Sequence, residues 1–125
     1  MSRRTETLFW QPEAVQALLP TRMVGKNLVI FNRITSTNDF LKRIARRGAA
    51  TGTVVLADEQ TAGRGRLQRP WQSPPGKGLW FSILLRPQLA PENIGIISLA
   101  IAAVAAEAFA KIGGEGFHVK WPNDV

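Results

Sequence analysis

Between two strand-like runs, Thr53 to Ala57 and Leu79 to Leu85, the chain carries a long excursion from Gln60 to Gly78 that reads QTAGRGRLQRPWQSPPGKG. Any fold must hold two strands on either side of it. Its cations are Arg64, Arg66, Arg69 and Lys77, and it contains no acid. Gly63, Gly65, Gly76 and Gly78 free the backbone to bend and to come close to a ligand. A loop of this length without structure of its own is usually functional or disordered. Arginine forks grip phosphate oxygens at two points, and bare glycine amides add donors, so the composition suits an anion. Trp71 can lie against a planar ring or cap a pocket. The spacing matches no standard phosphate loop. Gly76-Lys77-Gly78 lacks the Ser or Thr of a P-loop, and Gln68 stands where the dinucleotide fingerprint needs its third Gly. Taken alone, the segment fits a ligand-binding flap, a mobile basic loop, or an Arg-Gly element that binds RNA.

The flanking sequence alternates strands with helices. Gln11 to Leu19 predicts a small helix, with Pro12 in its first turn and Pro20 as its stop. Leu28-Val29-Ile30-Phe31 predicts a strand over Asn27 to Ile34. Thr35 to Asn38 is then a turn, with Ser36 and Asp39 spaced as a capping box. The helix that follows, to about Arg47, has Phe40, Leu41, Ile44 and Ala45 on one face. Lys42, Arg43, Arg46 and Arg47 lie on the other side and towards its C-terminus, where cations suit the dipole, and Gly48 is the expected terminator. Leu79 to Leu85 is nearly all apolar, which predicts a strand central in a sheet. Pro91 opens an apolar helix ending at Gly113-Gly114, and Phe117 to Trp121 predicts a fourth strand. Ile94 to Ala110 holds a single charge, Glu107. Its length is at the lower limit for a membrane span, and its richness in Ala points instead to a helix buried in protein.

Charge and composition narrow the classes. Sixteen Lys and Arg against nine Asp and Glu give a net charge of +7, which attracts polyanions, nucleotides or acidic proteins. The absence of Cys excludes disulfides, thiolate metal sites and a Cys nucleophile, and a lone His118 argues against a zinc site. A cytoplasmic location is the expectation, since no signal peptide stands at the start.

Two further constellations accompany the flap. Ser36, Thr37 and Asn38 sit at a strand-to-helix turn, where they either cap the helix or bind a neutral polar ligand; Gln60 is similarly ambiguous. Lys120-Trp121-Pro122-Asn123-Asp124 places a cation, an indole, an amide and a carboxylate at a strand end, where α/β proteins often bind ligands. Asp124 offers the hard oxygen that Mg²⁺ prefers, although Pro-Asn-Asp also makes a plain turn.

In this order, Ser36-Thr37-Asn38, then Gly63-Arg64-Gly65-Arg66 with Arg69 and Trp71, then Lys120-Trp121-Pro122-Asn123-Asp124, the motifs resemble the catalytic domain of the bacterial biotin–protein ligase family over roughly residues 27–125. Residues 1–26 would be a lead-in helix and linker, too short for a helix-turn-helix, so no DNA-binding domain is expected. The resemblance implies an α+β fold, a mixed β-sheet flanked by helices of the class II aminoacyl-tRNA synthetase-like kind, with its C-terminal part missing. It implies a C–N bond-forming biotin–acetyl-CoA-carboxylase ligase. Such an enzyme joins biotin to ATP as biotinyl-5′-AMP and passes the biotinyl group to a lysine of the biotin carboxyl carrier protein. By the same resemblance Ser36, Thr37, Asn38, Gln60, Arg64, Gly65 and Arg66 would bind biotin. Arg66, Arg69, Trp71, Lys120, Asn123 and Asp124 would serve ATP, with Asp124 towards Mg²⁺, and Arg64, Arg66 and Arg69 would act in catalysis.

Those residue types suit that chemistry. Biotin's ureido head is neutral and is bound best by neutral hydrogen-bonding groups. Its carboxylate must attack a crowded α-phosphate, where Arg, Lys and Mg²⁺ offset repulsion. A flap closing over the adenylate would exclude water. Two departures from the family pattern stand out. Gln68 replaces the last Gly of Gly-Arg-Gly-Arg-x-Gly-Arg, which reduces easy access to positive φ. The family's essential Lys, shortly after Asn-Asp, would fall beyond Val125, so the 125 residues alone are expected to be inactive. The rival classes are a lipoate or octanoate ligase or transferase, whose Gly-Gly-Gly segment after paired Arg is absent, and a basic nucleic-acid-binding module using Arg64, Arg66, Arg69 and stacking by Trp71. A third rival keeps the fold without activity.

Overall fold

The first strand, β1 (Leu28–Ile34), is followed by a helix, α2 (Thr37–Ala45), and a second strand, β2 (Val54–Gln60), in a computed structural model that describes residues 9–113 and 116–118. A short helix, α1 (Pro12–Ala17), precedes them. β1 and β2 run parallel, in register from Leu28 opposite Val54 to Ile34 opposite Gln60. Parallel pairing needs a crossover, and α2 supplies it. β3 (Trp80–Ile83) then pairs antiparallel to β2, from Val54 opposite Ile83 to Ala57 opposite Trp80. The sheet is therefore mixed, with order β1-β2-β3, and the α+β class expected from the sequence is met.

Among the described residues β2 lies between β1 and β3, and Phe81 and Ile83 of β3 are partly exposed. β2 changes character along its length. Val55, Leu56 and Ala57 are buried, whereas Asp58, Glu59 and Gln60 emerge half-buried at its C-terminal end. That end delivers polar side chains to the site. Arg33 and Glu59, opposite each other in the ladder, approach to 3.4 Å.

α2 packs on β2 and β3. Leu41 is buried, and Phe40 meets Phe31 of β1 edge-on at 4.9 Å between ring centroids. Lys42, Arg43, Arg46 and Arg47 are exposed, as the helical period requires. Ser36 caps the helix, its Oγ accepting from the Asp39 N–H at 3.2 Å. At the other end the Arg86 guanidinium donates to the carbonyls of Ala45, the last residue of α2, and Ala49, each at 2.8 Å, and ties β3's trailing end to the segment that leaves the helix.

The chain forms two compact units, residues 1–86 and 87–125. In the second, a 3₁₀ turn at Pro91–Asn93 leads into α3 (Gly95–Gly113). The helix forms as expected. Ala102 is its one buried residue among those described, and Ile96, Ile101, Val104 and Ile112 are more than half exposed. Apolar residues surround this helix, so burial needs partners on every side. Within its own unit it meets the turn at Pro91–Asn93, and Phe109 meets Phe117 at 5.5 Å. By length and composition alone, Pro91–Gly113 is apolar enough to cross a membrane. The fourth strand expected over Phe117 to Trp121 shows no strand at residues 117–118 and otherwise lies outside the described residues.

Candidate functional site

The C-terminal end of β2, the first turn of α2, the excursion and the start of β3 surround a cavity of about 250 Å³. Ser36, Thr37 and Asn38 line it from the helix, Gln60 from β2, Arg64 and Trp71 from the excursion, and Leu79, Trp80, Phe81 and Ser82 from β3. The structure thus brings together five residues that the sequence singles out and the resemblance assigns to biotin, Ser36, Thr37, Asn38, Gln60 and Arg64.

The polar groups form a directed chain. The Gln60 carbonyl oxygen Oε1 accepts from the Thr37 N–H at 2.8 Å and from the Thr37 hydroxyl at 3.0 Å. Thr37 Oγ1 also lies 2.9 Å from Ser82 Oγ. A hydroxyl has a single proton, and Thr37 gives its own to Gln60, so Ser82 must be the donor to Thr37. On the far side Gln60 Nε2 donates to Ser73 Oγ at 3.1 Å, and Ser73 donates to the Trp71 carbonyl at 3.3 Å. Every hydroxyl proton from Ser82 to Ser73 is therefore committed. Thr37 and Ser73 are each only 3% exposed, which makes these bonds expensive to leave unmade. What remains for a ligand is the lone pairs of Ser82, a second N–H on Gln60 and the Asn38 amide. That is a wall of neutral donors and acceptors.

Gln60 to Ser73 is not the structureless loop its glycines suggest. Antiparallel bridges join Gln60 to Ser73 and Arg64 to Pro70, and the Trp71 N–H donates to the Gly63 carbonyl at 2.8 Å. The result is a narrow flap whose tip is a 3₁₀ turn at Arg66–Gln68. Gly63 is required at its base, because a Cβ there would sit 2.7 Å from the Trp71 carbonyl oxygen and 2.8 Å from Ser73 Oγ. At the tip Leu67 and Gln68 both adopt left-handed backbone, with φ of 56° and 59°. Gln68, which lacks glycine's freedom there, takes a positive φ all the same, at a cost on the order of 1 kcal/mol.

The flap's cations do not act alike. Arg64 lines the cavity; its Nη1 donates to Gln68 Oε1 at 3.2 Å, and its Nη2 lies 3.9 Å from Asp39 Oδ2. Arg66 and Arg69 are exposed at the tip and do not line the cavity. Gly65 is half-buried beside Trp71, and Trp71 itself is 57% exposed. Lys120, Asn123 and Asp124, assigned by resemblance to ATP and Mg²⁺, lie outside the described residues. Among the described residues no cluster of acids or histidines could hold a metal ion.

Sequence reading missed Ser73, Ser82 and the β3 residues Trp80 and Phe81. Ser82 carried a signal, being the lone hydroxyl in an apolar strand; Ser73 carried none beyond its place in a loop. A larger cavity of about 330 Å³ is lined by Phe9, Trp10, Ile30, Leu56, Asp58 and other residues. Its one carboxylate already accepts from the Gly76 N–H at 2.9 Å. It lacks the convergent polar groups of the smaller cavity, where the site is placed.

Residues 30–125 match the Biotin/lipoate A/B protein ligase family. The Bifunctional ligase/repressor BirA of Bacillus subtilis is 36% identical over 107 residues, which cover 86% of this chain and 33% of the relative. The Bifunctional ligase/repressor BirA of Escherichia coli is 36% identical over 119 residues, 91% of this chain and 36% of the relative. Among solved structures, biotin protein ligase from Aquifex aeolicus in complex with biotin and ATP superposes with a TM-score of 0.67 at 40% identity. It covers 79% of this chain and 40% of that one. The chain thus spans about a third to two fifths of the length of these relatives.

Proposed function

Because the chain belongs to the biotin/lipoate A/B protein ligase family, we propose that it is the biotin-binding part of an ATP-dependent biotin–protein ligase. The observation that carries this reading is the committed relay Ser82–Thr37–Gln60–Ser73 facing a cavity that Arg64 also lines. A cyclic urea presents one acceptor and two N–H donors without charge. The lone pairs of Ser82 and the free N–H of Gln60 complement it, and neither group must reorganise to do so. The valerate carboxylate then finds its counter-charge in Arg64. Trp71 and Trp80 supply apolar walls for the ring system between them.

In this reading the biotin carboxylate attacks the α-phosphorus of ATP, the bond to the β-phosphate oxygen breaks, and pyrophosphate leaves. A carrier lysine amine then attacks the acyl carbon of biotinyl-5′-AMP, AMP leaves, and the amine loses a proton. Arg64 would hold the carboxylate and its acyl phosphate. Arg66 and Arg69, free at the flap tip, would reach phosphate oxygens when the flap descends. Mg²⁺, held by Asp124 as the resemblance implies, would supply charge neutralisation at the phosphates. The acceptor would be the biotin carboxyl carrier protein of acetyl-CoA carboxylase. The names of several relatives support biotin rather than lipoate as the acid.

Biotin titrated calorimetrically into the chain should bind at a single site, and Gln60→Ala should weaken it at least tenfold, since that change orphans Thr37 and Ser73 together. Thin-layer separation of labelled ATP products should show no biotinyl-5′-AMP from the 125 residues alone. Absence of biotin binding, together with salt-dependent binding of generic single-stranded nucleic acid, would overturn this reading in favour of a nucleic-acid module.

A further inference from the structure

The mechanism above leaves Gln68 unused; like Leu67 it stands in the left-handed region, and unlike Leu67 it carries a polar side chain bonded to a cavity-lining residue. A non-glycine residue in the left-handed region persists when its surroundings over-determine it, which is a reason to look for a task. Two backbone bonds fix the tip, Gly65 N–H to the Arg69 carbonyl at 2.8 Å and Arg69 N–H to the Arg66 carbonyl at 3.3 Å. They place the Gln68 amide oxygen where Arg64 Nη1 can donate to it. Asp39, in the first turn of α2, draws the other end of the same guanidinium. The guanidinium thus has a hydrogen-bond acceptor at one end and a nearby carboxylate, 3.9 Å away, at the other while Arg64 lines the cavity.

We propose that Gln68 is a positioning residue. It orients the Arg64 guanidinium so that the remaining donors are presented to the carboxylate of the ligand, and Asp39 acts as a placeholder counter-ion that the carboxylate replaces. Glycine at position 68 would relax the backbone and lose this function. The side chain, rather than the turn, is what the position supplies. Asp39 and Arg64 are about half exposed, so exchange of one carboxylate for another meets little resistance. The second part of the inference, selectivity for a carboxylate, rests on the biotin reading given above; the first part does not.

Two measurements separate them. Arginine side-chain NMR on the unliganded chain reads the orientation directly. Arg64 should show restricted rotation about its guanidinium bonds, Gln68→Ala and Gln68→Gly should both release it, and Gln68→Glu, which keeps an acceptor, should preserve it. An Arg64 signal indifferent to Gln68→Ala overturns the proposal. Equilibrium binding of biotin and of its neutral alcohol analogue, biotinol, reads the consequence. Gln68→Ala should lower the preference for acid over alcohol by about threefold to tenfold and leave the alcohol's affinity unchanged. Equal losses for both would reduce Gln68 to a structural role and refute the positioning claim. Failure of the unmutated chain to bind either molecule would count against the biotin reading alone, because the NMR result still decides the orientation.

Discussion

Replacing Thr37 by Val removes one hydroxyl from the middle of the relay and keeps nearly the same shape. The Thr37 N–H still donates to Gln60, so Gln60 Oε1 retains a partner. Two bonds are lost, the 3.0 Å bond to Gln60 and the 2.9 Å bond from Ser82. Each contributes about 0.5–1.5 kcal/mol, and Thr37 is buried, so the loss should total about 1–3 kcal/mol. With an m-value near 2 kcal/mol/M, the urea midpoint should fall by about 1 M. Ser82→Ala breaks one of the same two bonds and should cost about 1 kcal/mol. The double variant should be less destabilised than the sum by about that amount, because the bond between Thr37 and Ser82 can be lost only once. Urea denaturation followed by circular dichroism on the four chains measures the cycle. A Thr37→Val loss below about 0.5 kcal/mol, or additive single effects, would refute the directed relay.

Gly63→Ala should press a methyl group into the Trp71 carbonyl and Ser73 hydroxyl and destabilise the flap base by about 1–3 kcal/mol. Hydrogen exchange at the Trp71 amide, which donates to Gly63, should accelerate accordingly, and unchanged exchange would contradict the close approach. Arg86→Met should remove the donors at the end of α2 and lower stability by about 1 kcal/mol in thermal melts.

The first half of the fold was legible because its signals are local. Ser36 and Asp39 mark the cap, Phe40, Leu41, Ile44 and Ala45 mark the buried face, and the Leu28 to Phe31 run marks β1. All are fixed within a turn or a strand of the residue concerned. Sheet order is not local: an apolar run such as Leu79 to Leu85 reads the same at the centre of a sheet and at its edge. The flap shows the same limit. Its glycines and arginines announce a function, but its hairpin bridges pair Gln60 with Ser73 and Arg64 with Pro70, residues with no strand pattern. Ser82 entered the site through a β3 register that only the ladder sets. The roles of Thr37 and Gln60 were ambiguous between capping and binding; the cap is Ser36, and Thr37 in the first turn bonds to Gln60 in the relay.

The central claim is that the polar cavity, rather than the larger apolar one, receives biotin. Heteronuclear NMR of the labelled chain during a biotin titration tests it. The account predicts saturable shifts of the Gln60 side-chain amide and of the Thr37 and Ser82 amides, with Phe9, Trp10 and Asp58 unmoved. Shifts confined to Phe9, Trp10 and Asp58, or none at all at saturating biotin, would contradict it.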